Sequence, residues 1–227
     1  QKGSVWEESL CDLIFENPMQ WGYNKAAQKP TFRHPSTVLA TLSRNRPRWL
    51  VELCRLAVKK RSVSASHVTS RDLTSVLREF GRERVEDLAA EYRSECPQVQ
   101  EIINAFANTQ EDFTTDQLIN TITNRVLNGL VITLASTGSV TRPIQVAAFL
   151  YEIGFLTARR ENGDGTYTHY VFADKPEPLH NRTNIDQGLS WEIHPVFRQV
   201  LGLRDETGKI IAGMEQNHAP KSRSKRY

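Results

Sequence analysis

Apolar residues recur along most of this chain at three- and four-residue steps, the period of helices that bury one face. Trp6, Leu10, Leu13 and Ile14 form the first such stripe, over residues 5–16. A loop with Pro18, Gly22 and Pro30 follows, and Pro35 then suits the first turn of a helix through Val38, Leu39 and Leu42. Pro47 starts the next, with Trp49, Leu50, Leu53, Leu56 and Ala57 on one side. Lys59, Lys60 and Arg61 close it, where cations complement the helix dipole. Thr69-Ser70-Arg71-Asp72 reads as a capping box ahead of Leu73, Val76, Leu77 and Phe80. Gly81 interrupts that run, and Val85, Leu88, Ala89 and Tyr92 resume it. Pro97 opens a further helix with Val99, Ile102, Ile103 and Phe106, and residues 108–112 read as a linker between two domains.

Thr114-Thr115-Asp116-Gln117 is a second capping box, and its helix presents Leu118, Ile119, Ile122 and Val126 before Asn128-Gly129 ends it. Residues 130–134 are too short and too apolar for periodicity to separate strand from helix, and 136–141 is a turn. From Arg142 the pattern changes. Val146, Phe149, Leu150 and Ile153 make one helical face, and Gly154 supplies a left-handed C-cap. The β-rich runs 155–160 and 166–172 are joined by Glu161-Asn162-Gly163-Asp164-Gly165, which carries two hairpin signals. A helix running straight into a hairpin is the pattern of a winged-helix domain. Residues 174–188 are polar, 189–193 can add a third strand, and Pro195 begins a short helix with Val196, Phe197, Val200 and Leu201. The expected fold is therefore mainly α with a small β wing.

At 227 residues the chain can bury a sizeable core, and no apolar run approaches the ~20 residues of a membrane helix. The formal charge of +3 is too small to imply nucleic acid by itself, and much of the excess sits on Lys221, Arg223, Lys225 and Arg226. Cys11, Cys54 and Cys96 have neither disulfide-framework nor zinc spacing, so a reducing cytoplasm fits best. The chain begins at Gln1, without a signal segment and with no methionine before Met19, which suggests a fragment of a longer protein.

Catalytic signatures fall short. No phosphate-cradling glycine loop is present, and Gly163-Asp164-Gly165 lacks the third glycine and the helix of a dinucleotide site. No two histidines stand at a ligand spacing, and Cys11 and Cys54 lie at apolar helical positions without an activating partner. Carboxylate pairs such as Glu7 with Glu8 point different ways from one helix. No catalytic residue, no metal site and no enzyme activity is expected of these residues alone. Arg44-Asn45-Arg46-Pro47-Arg48 is a candidate phosphate contact, because two arginines flank the first turn of an apolar helix. Arg142 and Gln145 could reach a DNA groove, and Arg159 and Arg160 its phosphates, with one of that alternating pair facing away. Glu152, Glu161 and Asp164 oppose that with negative charge, which leaves double-stranded DNA and a protein partner both open.

Several of these segments, in this order, resemble one family: residues 46–54, beginning Arg46-Pro47-Arg48-Trp49, then 73–91, then Phe149-Leu150-Tyr151-Glu152-Ile153-Gly154-Phe155-Leu156, then Ile193-His194-Pro195-Val196-Phe197-Arg198. The chain is similar, over about residues 30 to 203, to the C-terminal part of bacterial P-loop ATPases related to origin-recognition-type AAA+ proteins. The resemblance implies a helical lid over 1–110 and a winged-helix domain over 111–203, and the residues themselves read as a basic, disordered tail over 204–227. It also implies that Arg46 or Arg48 senses the γ-phosphate of ATP. The phosphate loop and the acidic magnesium-holding segment of such enzymes are absent, so ATP and magnesium would require an upstream ATPase core, which could also make the protein an oligomer. Relatives occur in bacterial antiviral defence. The expected function is coupling of nucleotide state to DNA or protein binding; a free-standing winged-helix regulator and a protein-interaction scaffold are the alternatives.

Overall fold

In a computed structural model of the chain, residues 5–24, 29–163, 167–179, 188–205 and 210 are described. The expected turn residues Asp164 and Gly165, most of the basic tail and part of the polar loop lie outside them. Helix α1 (Val5–Ile14) leads into an antiparallel hairpin, β1 (Met19–Asn24) and β2 (Lys29–Arg33). Helices α2 (Pro35–Ser43), α3 (Pro47–Lys60), α4 (Ser70–Tyr92) and α5 (Val99–Asn104) follow. Their starts are set locally. The His34 ring accepts a hydrogen bond from the Ser36 amide, with Pro35 in the first turn of α2. Thr69 and Asp72 close a reciprocal box: the Thr69 hydroxyl accepts from the Asp72 amide at 3.2 Å, and the Asp72 carboxylate from the Thr69 amide at 2.9 Å.

The interruption expected at Gly81 does not occur, and α4 runs through it for 23 residues. The reason is tertiary. A Cβ at Gly81 would stand 2.5 Å from the Val196 carbonyl oxygen and 3.2 Å from the Val200 side chain, so the glycine lets α4 approach α8 (Pro195–Arg198) closely.

Beyond α5 come β3 (Asp112–Phe113), α6 (Thr115–Ile122) with a π turn over Thr123–Leu127, and the hairpin β4 (Ile132–Leu134) and β5 (Gly138–Val140). Then follow α7 (Pro143–Glu152), β6 (Leu156–Glu161), β7 (Tyr167–Tyr170) and β8 (Leu189–Ile193). Strands β3, β8, β6 and β7 form a four-stranded antiparallel sheet in that order, with Ala158 opposite both Trp191 and Tyr170.

This corrects the expected fold. Among the described residues about 47% are helical and 21% are strand, in three small antiparallel sheets, so the fold is an α/β mixture and not a helical lid followed by a winged-helix domain. The hairpin expected as the wing, with 189–193 as its third strand, is part of a larger sheet in which β3 adds a fourth strand beside β8. Its β6 strand is buried over Leu156, Thr157 and Ala158, flanked by a strand on each side, and the loop expected at Pro18 to Pro30 contains a hairpin.

Aromatic contacts join sheet to helices in one continuous core. Phe155 packs 5.4 Å from both Phe106 and Phe197, and Tyr151 lies edge-on to Trp191 at 5.3 Å. Both polar rings are satisfied: the Trp191 indole donates to the Thr115 hydroxyl at 3.1 Å, and the Tyr151 hydroxyl to the Lys175 carbonyl at 2.9 Å. The segment 108–113 is tied to the C-terminal end, through Asn108 to the Leu201 carbonyl and through β3 to β8.

Candidate functional site

Between α2 and α3 the chain turns through two consecutive left-handed residues, Arg44 at φ 54° and Asn45 at φ 55°. Their amides, with that of Arg46, bond back to the Thr41, Ala40 and Ser43 carbonyls, which offsets the strain of positive φ. The turn delivers Arg44 and Arg46 to the Trp49 ring in the first turn of α3, with guanidinium carbons 5.7 Å and 4.9 Å from its centroid. Arg84, from the middle of α4, reaches the same ring at 5.0 Å. Trp49 is buried, so three cations converge on one aromatic side chain.

Each guanidinium has a different fate. Arg46 is held by Glu91 through two parallel bonds of 2.6 Å and 3.1 Å, which raise its pKa and lower that of the carboxylate. Arg84 is buried over Trp49 and Phe80, and Asp87 stands 3.2 Å from its Nε. Arg44 is the unpaired one. Its buried Nη1 has no hydrogen-bond partner, and burial together with the nearby Arg46 charge pulls its pKa down to about 10. The guanidinium lies directly against Gly154, at the end of α7. Arg48 is exposed and has no carboxylate partner among the described residues.

His194 lies within the field of Arg44. Its Nδ1 accepts from the Val196 amide at 3.3 Å to cap α8, and it is buried. Burial, then the charges of Arg44 and Arg198, lower its pKa to about 3, so it is neutral.

Of the residues expected to face DNA or a partner, Arg159 is already engaged inside the protein. It is paired with Asp112, donates to the Ser190 hydroxyl at 2.9 Å and stacks 4.5 Å from the Tyr167 ring. Its Nη1 is 3.9 Å from Glu192, a carboxylate that also meets Arg198 at 3.0 Å and His169 at 3.0 Å. Burial pushes the Glu192 pKa up, but Arg198, His169 and Arg159 outweigh it and hold the group at about 2. Arg160 is half-buried on β6, opposite Thr168 and Leu189.

Arg142 and Gln145 do come together, along a cleft of about 310 Å³ beside α7. Leu134, Ile144, Ala148, Phe149 and Leu179 give it apolar walls; neither Arg159 nor Arg160 lines it. Arg142 and Glu152 are exposed at its margins.

The arrangement offers cationic binding and a cleft. Burial and then Cys11 push the Cys54 thiol up to about 11, away from a reactive thiolate. Among the described residues no group of His, Cys, Asp and Glu could hold a metal ion. Sequence reasoning singled out Arg46, Arg48 and the flanking Arg44, but missed Arg84, Trp49 as their common platform, His194 and Glu192. Asn45, which tolerates the left-handed region, was the one local signal of the turn. Compared with known family models, curated proteins and solved structures, the chain matches none.

Proposed function

We propose that the chain is the regulatory portion of a P-loop ATPase and that its arginine turn contacts the phosphates of the nucleotide. Arg48 is the nucleotide-facing residue in this reading. The observation that carries it is the division of labour in the arginine turn and α4: Arg46 and Arg84 are engaged by carboxylates, Arg44 is half-buried with its Nη1 enclosed, and Arg48 alone of the four stands exposed without a carboxylate partner among the described residues. A polyphosphate approaching the first turn of α3 meets this cation and the concentrated positive field behind it. ATP phosphates suit that chemistry. Among the described residues magnesium has no holder, and in this reading it belongs to the core. The same engagement of side chains weakens direct DNA contact, because Arg159 is bound to Asp112 within the sheet.

Titration with inorganic triphosphate at low salt, followed through the Trp49 indole resonance, tests the reading. Binding near millimolar is expected, and Arg48→Ala is expected to weaken it about tenfold, the usual contribution of a charge-assisted hydrogen bond. An unmoved Trp49 resonance, or equal affinity in the variant, removes the phosphate reading.

A further inference from the structure

We propose that the cleft beside α7 is a docking groove for a short extended peptide of a partner protein, carrying an acidic side chain at one end, apolar side chains between, and a basic side chain at the other. The groove is bipolar. Arg142 precedes the first turn of α7 and Glu152 closes its last, and both line the cleft and are exposed. Ten residues of helix separate them, about 15 Å at the helical rise. No salt bridge or hydrogen bond occupies either side chain among the described residues. Glu95, the third charged residue of the lining, is already engaged, accepting from the Ser136 amide at 3.1 Å and hydroxyl at 2.5 Å.

These features select the occupant. Two free charges about 15 Å apart are too widely spaced for a compact small molecule in a space of 310 Å³, but an extended peptide covers that distance in about five residues. Ile144, Ala148, Phe149 and Leu179 receive its apolar side chains. The acidic end is placed at Arg142, where the positive end of the α7 dipole adds to the guanidinium, and the basic end at Glu152, where the dipole is negative. Among the described residues strand β5 pairs with β4 alone, and Ser136 and Thr137 of their connecting turn line the cleft. Duplex DNA does not complement this lining, since Glu152 would repel its phosphates.

The groove stands apart from the phosphate reading, and triphosphate binding at Arg48 can fail while peptide binding persists. The test pans a random heptapeptide display library against the chain and then measures the selected peptide by fluorescence anisotropy. An enriched pattern of acidic, apolar and basic positions is expected. Arg142→Glu is expected to weaken the selected peptide at least tenfold, and a peptide with its acidic residue changed to lysine recovers the variant. Ala148→Arg, which fills the floor, abolishes binding, while unchanged thermal unfolding of both variants confirms their folding. Failure to enrich any pattern overturns the proposal. So does affinity indifferent to Arg142→Glu, or a duplex oligonucleotide that binds this cleft and is lost with the same substitution.

Discussion

Gly154→Ala is expected to destabilise the protein by about 2–5 kcal/mol, the sum of left-handed strain and overpacking for an alanine in a filled space. Gly154 has φ +70°, and a Cβ built there overlaps the Nη2 and Cζ atoms of Arg44 and stands 3.0 Å from its Nε. The two contributions can be separated. Conformational strain belongs to residue 154 alone, whereas overlap requires the guanidinium. Arg44→Ala removes a group that has a buried nitrogen without a hydrogen-bond partner, so its own effect is expected to be smaller than that of the glycine substitution. In the double variant the overlap disappears, and the substitutions are expected to be non-additive by about 1–3 kcal/mol, the range for residues in direct contact. Urea unfolding of the four proteins measures this, and strict additivity would show that Arg44 does not rest on Gly154 in solution.

That contact also explains how much could be read in the sequence. Gly154 was legible as a helix terminator, because a C-cap needs only local geometry, as were the Thr69 and Thr114 boxes and the prolines that open α2, α3, α7 and α8. The second reason for the glycine, the arginine packed on it from 110 positions away in the chain, leaves no local trace. Gly81 is the converse case: local propensity reads a break, and only the approach of the Val196 carbonyl shows why the helix keeps the residue. The fold class failed for the same reason. A two-residue strand such as β3 has no periodicity to detect, yet it pairs with β8 and extends the expected hairpin and third strand to four strands. Alternation turns one of Arg159 and Arg160 away but cannot choose which, because it does not see Asp112, 47 residues from Arg159. Arg46 and Arg48 were visible as a motif, but which one is free depends on Glu91 of α4.

Acid is expected to unfold the protein in two overlapping stages, the first set by His194. In the unfolded chain this imidazole takes a proton near 6.5; in the folded protein it does so only at about 3, because burial and then Arg44 and Arg198 oppose the charge. As pH falls below 6.5 the unfolded state therefore gains the proton first. The stability tied to neutral His194 is complete above that value and is lost at up to about 1.4 kcal/mol per pH unit on the way down to 3. Glu192 acts with the same sign over a lower window. Its carboxylate is held at about 2 against 4.5 when unfolded, so its contribution is complete above 4.5 and is lost as pH falls through 2. The free energy of unfolding is thus expected to be level from pH 7 to about 9, to decline below 6.5 and to steepen below 4.5. His194→Asn isolates the first stage. Asparagine retains a side-chain acceptor for the Val196 amide at the start of α8 but carries no titrating group. The variant is expected to be nearly level between pH 6.5 and 4.5 and to keep the steeper fall below. Parallel declines for both proteins between those two pH values would mean that His194 is not held neutral in the core.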